Sequence, residues 1–141
     1  MRVFIDTGAF CALSIVKDQF NQEAKLINKY LEKESGLFYT SNFILEETYT
    51  LIKARSSHLT SIKFMKEIEK SSIEVLSVIP EIESKAKNIF KKYDLPRLSF
   101  TDCTSFALIE ENMLDSVFAF DEHFKTYLFK HKVLYLPSIL R

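Results

Sequence analysis

Short apolar runs alternate with longer stretches of helical periodicity along the whole chain. Val3-Phe4-Ile5, Leu37-Phe38-Tyr39, Glu74–Ile79, Val117–Phe120 and Val133–Leu136 read as strands. Helices are predicted over residues 7–16, 20–34, 42–55, 59–71, 81–93 and 101–113, with a short one after Asp121. The second carries Ala24, Ile27 and Leu31 on one face, and the fifth repeats Ile82, Ala86, Ile89, Phe90 and Tyr93 at helical spacing. Strands that alternate with helices pair in parallel, because each crossover needs a long connection. The expected class is therefore α/β with a short-stranded, mainly parallel central sheet. Val3-Phe4-Ile5 has no polar alternation, as expected of a strand buried on both faces.

The 141 residues suit one domain spanning 1–141. At 47% hydrophobic and 27% charged the chain is not of the disordered type. Thirteen Phe and six Tyr without Trp predict an aromatic core, and two Gly with three Pro leave no obvious linker. The formal charge is zero, unlike that of many nucleic-acid binders. A carboxylate-lined site carries cations that this count omits. Cys11 and Cys103 sit in apolar, helical surroundings without metal-type spacing, so both are expected as small buried hydrophobes. Two such cysteines and no export pattern at the N-terminus point to a cytoplasmic protein. No apolar run approaches the ~20 residues of a membrane span.

Among nineteen acidic residues, position selects four. Asp6 follows Val3-Phe4-Ile5 directly, and Asp121 follows Val117–Phe120. In open α/β sheets, ligands bind at the carboxyl ends of strands, so two such aspartates can face one crevice. Each also precedes a helix, where an N-cap is the simpler account of either alone. Glu47 lies between Ile44 and Leu51 on the helix 42–55, among core positions, while Glu46 shares a face with Asn42, Tyr49 and Lys53. A buried carboxylate must be neutral or meet a cation. The alternative is a partly exposed Glu47 at the stripe edge. Asp102 shares a stripe with Phe106, Ile109 and Met113, but an acid in a first helical turn also suits the helix dipole. Ser99 or Thr101 would cap that helix and leave the Asp102 carboxylate for other work. Four clustered carboxylates need a counter-charge. Oxygen ligands select a hard cation, Mg²⁺ or Mn²⁺, over zinc, and His58, His123 and His131 show no zinc-ligand spacing. Such a centre serves phosphoryl chemistry.

Four segments, VFIDTGAF, TSNFILEETYTLI, LSFTDCTSFALI and VFAFDEHF, occur in this order across nearly the whole chain. In them the chain resembles the PIN-domain family, especially the VapC-type toxins of prokaryotic toxin–antitoxin pairs. The resemblance implies a three-layer α/β/α fold and endoribonuclease activity. It carries the four family acids onto Asp6, Glu47, Asp102 and Asp121 as catalytic and metal-holding residues. It places Thr7 and Thr101 where hydroxyls would support them. Ala119 stands where many members have Ser or Thr, and Gly8 where a hydroxyl residue is common. A small antitoxin whose C-terminal segment covers the site, and a homodimer, are the implied partners.

In the mechanism these residues suggest, Asp6, Asp102 and Asp121 hold one or two Mg²⁺ or Mn²⁺ ions. Glu47 holds or helps deprotonate the water that attacks phosphorus, giving, as the resemblance implies, a 5′-phosphate and a 3′-hydroxyl. Lys53, Arg55, Arg97 and Lys125 are candidate contacts to the RNA backbone. The main alternative is a catalytically inactive PIN-fold RNA- or protein-binding module, which would show little stabilisation by Mg²⁺ or Mn²⁺. DNA cleavage is a third option. A phosphotransferase using Asp6 as nucleophile is disfavoured, because Gly8 stands where such enzymes place a second aspartate.

Overall fold

The computed structural model describes residues 1–140. Its elements run β1 (Arg2–Ile5), α1 (Thr7–Ser14), α2 (Asn21–Lys33), β2 (Leu37–Ser41), α3 (Asn42–Arg55), α4 (His58–Lys70) and β3 (Glu74–Leu76). They continue with α5 (Pro80–Lys92), α6 (Phe100–Glu111), β4 (Ser116–Phe118), α7 (His123–Thr126), β5 (Leu134–Tyr135) and a 3-10 turn over Leu136–Leu140.

The sheet order is β3-β2-β1-β4-β5, and every pairing is parallel. Val3 sits opposite Phe38 on one side and Ser116 on the other, so β1 is the central strand. Its Val3, Phe4 and Ile5 are buried, as the unbroken apolar run predicts. Helices flank this sheet in the α/β/α arrangement. Right-handed crossovers carry the chain from β1 through β2 to β3 in one direction, then back past β1 to β4 and β5. That rule assigns α1–α4 to one face and α5–α6 to the other, and within each group the helices pack on one another. Side chains from sheet and helices form one apolar cluster, with Phe4, Phe106, Phe118, Ile27, Leu31 and Ile44 fully buried. Cys11 and Cys103 are buried free thiols within it. No described helix is long and apolar enough to cross a membrane.

The chain leaves β1 toward β2 and leaves β4 toward β5, in opposite directions. The crevice at the carboxyl ends of β1 and β4 is thus the topological switch point, where ligands of such sheets bind. A hydrogen bond from Asp6 N–H to the Phe118 carbonyl, at 3.0 Å, ties the two strand ends together there.

Several boundaries differ from expectation. β3 stops at Leu76 rather than Ile79, and β5 has only Leu134 and Tyr135. β4 ends at Phe118, so Asp121 comes three residues after the strand instead of directly on it. Short strands pair only as far as their neighbours extend, which apolar content alone does not reveal. α6 ends at Glu111, and Met113 lies beyond it at φ 50° with 58% of its surface exposed, so it is not part of a buried stripe.

Candidate metal centre

Asp6 lies at the N-cap position of α1 by backbone, and its carbonyl accepts from Ala9 and Phe10 N–H at 3.2 Å. Its side chain makes no capping hydrogen bond, so helix capping does not account for the carboxylate. The residue is only 5% exposed. Burial holds the carboxyl pKa well above the usual range. The charges of Asp102, Asp121 and Glu47 push it further the same way, against a hydrogen bond from the Thr7 N–H. Three acids distant in sequence thus act on one buried carboxyl group.

Asp102 is placed by a capping box. Ser99 Oγ accepts from Asp102 N–H at 2.9 Å, and Asp102 Oδ2 accepts from Ser99 N–H at 3.1 Å. Ser99 is the cap, as one of the two predicted alternatives, but the carboxylate is not left wholly free, since one oxygen answers the backbone. The surrounding α6 is buried on all sides from Asp102 to Ile109. Burial raises the Asp102 pKa to about 6, with the Asp121 charge adding, while the Ser99 hydrogen bonds and His123 oppose.

Asp121 accepts from the His123 N–H at 2.9 Å through Oδ1. The imidazole folds back on the acids: His123 Nδ1 lies 2.7 Å from Asp121 Oδ1 and 3.6 Å from Asp102 Oδ2. One ligand atom each from Asp102, Asp121 and His123 falls within 4.8 Å of the others. The contact with Asp121 lies off the ring N–H direction, so the buried Nδ1 has no hydrogen bond despite its short separation from the carboxylate. Thr7 Oγ1 is likewise buried without a partner.

Glu47 is exposed and stands at the edge of the α3 stripe, whose buried members are Ile44, Leu45, Thr48 and Ile52. The expectation that it lies among core positions is therefore corrected. Leu51, expected on the buried face, is only half-buried, and the neighbouring Ile52 is the one packed inside. The Glu47 charge nevertheless adds to the rise of the Asp6 pKa, the least of the three acids.

His123 is the residue that sequence reasoning missed. It entered only as a histidine without zinc-ligand spacing. The available signal was its place two residues after a strand-end acid, at the start of a short helix. A cleft of about 550 Å³ beside the trio is lined by Leu95, Pro96, Arg97, Asp121, His123 and Thr126, among others. Of the four basic candidates, Arg97 lines this cleft. Lys125 faces Glu122 and the Tyr135 ring, and Lys53 and Arg55 are exposed in the last turn of α3. The donor set fits a divalent cation. Carboxylates gathered in a buried place repel one another without a counter-charge, and the unpartnered Nδ1 lies among them as a further possible ligand atom.

Residues 3–130 match the family model described as PIN domain. The chain belongs to the PIN domain family. It is 28% identical over 122 residues to the 23S rRNA-specific endonuclease VapC20 of Mycobacterium tuberculosis (strain H37Rv), covering 86% of this chain and 91% of that protein. It is 30% identical over 127 residues to a VapC ribonuclease of Archaeoglobus fulgidus, covering 88% and 80% respectively. The crystal structure of M. tuberculosis VapC20, titled a sarcin-ricin loop cleaving toxin, superposes with a TM-score of 0.78 at 27% identity. That match covers 88% of this PIN-domain chain and 93% of the other. Two departures from the family pattern are visible in the structure. Ala119 is fully buried. At Gly8 an added Cβ would meet nothing closer than Phe120 N at 3.9 Å, so a hydroxyl residue is absent there without steric cause.

Proposed function

We propose that this PIN-domain protein is a divalent-metal-dependent endoribonuclease, the toxin of a toxin–antitoxin pair. The observation that carries the reading is the gathering of acids at the switch point of the sheet. Asp6 is buried there at the end of β1, ligand atoms of Asp102 and Asp121 lie within 4.8 Å of each other, and burial with these charges disfavours ionised Asp6. Such an arrangement is tolerable at neutral pH around a cation. Likeness to two proteins named as RNA-cutting VapC enzymes supports RNA as substrate.

Asp6, Asp102 and Asp121 would hold one or two Mg²⁺ or Mn²⁺ ions, which supply charge neutralisation and water activation when bound. Glu47, exposed on α3, would receive the proton of the attacking water. Attack in line on phosphorus breaks the bond to the 3′ oxygen, which takes up a proton and leaves as the hydroxyl, while the phosphate stays on the 5′ side. Arg97, on the cleft wall, would pair with a backbone phosphate of the RNA. The partner by the same reading is a small antitoxin protein that covers this cleft, and the toxin itself would act as a homodimer in the cytoplasm.

Asp6→Asn and Asp102→Asn should each abolish Mg²⁺- or Mn²⁺-dependent cleavage of ribosomal RNA while leaving the fold intact by circular dichroism. A loss of about a hundredfold or more is expected, in line with removal of one electrostatic element of an active site. Undiminished cleavage by folded variants would falsify the assignment.

A further inference from the structure

We propose that His123 is itself a metal ligand through Nδ1, which makes the centre a mixed carboxylate–imidazole site with a preference for Mn²⁺ over Mg²⁺. This rests on the reading that Asp102 and Asp121 hold a divalent cation.

The opposite side of the ring provides the first argument. His123 Nε2 is 2.8 Å from the Pro96 carbonyl. A carbonyl only accepts, so Nε2 carries the hydrogen, and in the neutral ring Nδ1 is then a bare lone pair. Histidines that bind metals characteristically anchor their other nitrogen on a backbone carbonyl or carboxylate, which sets both tautomer and ring orientation. Here that anchor comes from the loop between α5 and α6, which also bounds the cleft.

The second argument lies at Nδ1. The atom is buried, has no hydrogen bond, and sits 2.7 Å from Asp121 Oδ1 and 3.6 Å from Asp102 Oδ2. At this spacing Nδ1 needs a positive charge between it and the carboxylates, its own proton or a bound cation, and the missing hydrogen bond leaves a proton there without an aligned acceptor. A cation bound by Asp102, Asp121 and Nδ1 supplies that charge and satisfies the orphan nitrogen together. Local hydrogen bonding places the ring for this, since the His123 N–H already grips Asp121 Oδ1. Mg²⁺ favours oxygen ligands and water, whereas first-row transition ions accept imidazole, so one nitrogen donor shifts selectivity toward Mn²⁺.

The test loads the intact protein with Mn²⁺ and reads nitrogen hyperfine coupling by pulsed electron paramagnetic resonance, with Mn²⁺ and Mg²⁺ affinities from calorimetry. Wild type should show imidazole nitrogen coupling, altered by isotope-labelled histidine. His123→Gln, which keeps a donor for Pro96, and His123→Asn, which offers oxygen in place of Nδ1, should both lose it. Mn²⁺ affinity should fall about tenfold or more in His123→Gln, with Mg²⁺ affinity little changed. Mn²⁺ bound without nitrogen coupling in wild type overturns the role of His123 and leaves the carboxylate centre standing. Absence of Mn²⁺ binding overturns both. Cleavage undiminished in Asp102→Asn, with nitrogen coupling present, overturns the role of Asp102 in cleavage and not the ligand.

Discussion

A carboxyl group whose pKa is raised by its surroundings is costly to ionise, and Asp6 and Asp102 are both of this kind. Asp102 titrates near 6 in the folded chain against 3.8 in the unfolded one, and Asp6 moves in the same direction. An acid whose folded pKa is raised binds its proton more tightly when folded. Its stabilisation is complete below the unfolded pKa and is lost as pH rises through the folded one. The metal-free protein should therefore lose stability between about pH 4 and 6 on account of Asp102, and Asp6→Asn should raise its melting temperature at pH 7 while removing cleavage. Melting curves of both proteins in chelator across this range check the point, and a lower midpoint for the variant would show that Asp6 is stabilised by partners other than a cation. Arg97 shows a related trade in the backbone. It sits at φ 61° in a turn closed by Leu98 N–H to the Leu95 carbonyl, with Pro96 before it. Glycine is the residue such a position favours. Arg97→Gly should stabilise the fold by up to about 1 kcal/mol yet weaken RNA binding, which melting and a gel-shift titration with inactive Asp102→Asn protein would separate.

Among the elements, α6 shows how local sequence places a candidate metal-holding carboxylate. Ser99 and Asp102 close the helix end reciprocally, and the same pair sets where the carboxylate stands. Ser99→Ala should cost about 1 kcal/mol of stability and, beyond that, lower cleavage because Asp102 loses its tether. Chemical denaturation and cleavage measured on one preparation test this; full activity in a destabilised variant would separate the cap from the site. β1 and α1 work differently. Asp6 stops the strand and opens the helix through its carbonyl alone, which leaves the side chain to the crevice.

Across the whole molecule, the proposed cation binding would be linked to folding, because the acids converge only in the native state. A cation at a hundred times its dissociation constant should stabilise the fold by about 2.7 kcal/mol. The effect should grow from acid to neutral pH, opposite in sign to the metal-free trend. Thermal denaturation with and without Mn²⁺ at two pH values reads it, and no shift at neutral pH would favour an inactive binding module. The zero formal charge is compatible with RNA binding on this account, since bound cations enter the site's charge and not the residue count.

Periodicity and composition were enough to read the alternation of elements, the parallel sheet and the buried β1, because each depends on which side chains near one another in sequence are apolar. The strand-end position of Asp6 and the first-turn position of Asp102 were legible for the same reason. Only the tertiary structure decided that Glu47 is exposed, that β4 ends short of Asp121, and that the His123 ring turns back onto two acids. Those outcomes depend on distances between elements far apart along the chain, and spacing within a segment carries no information about them.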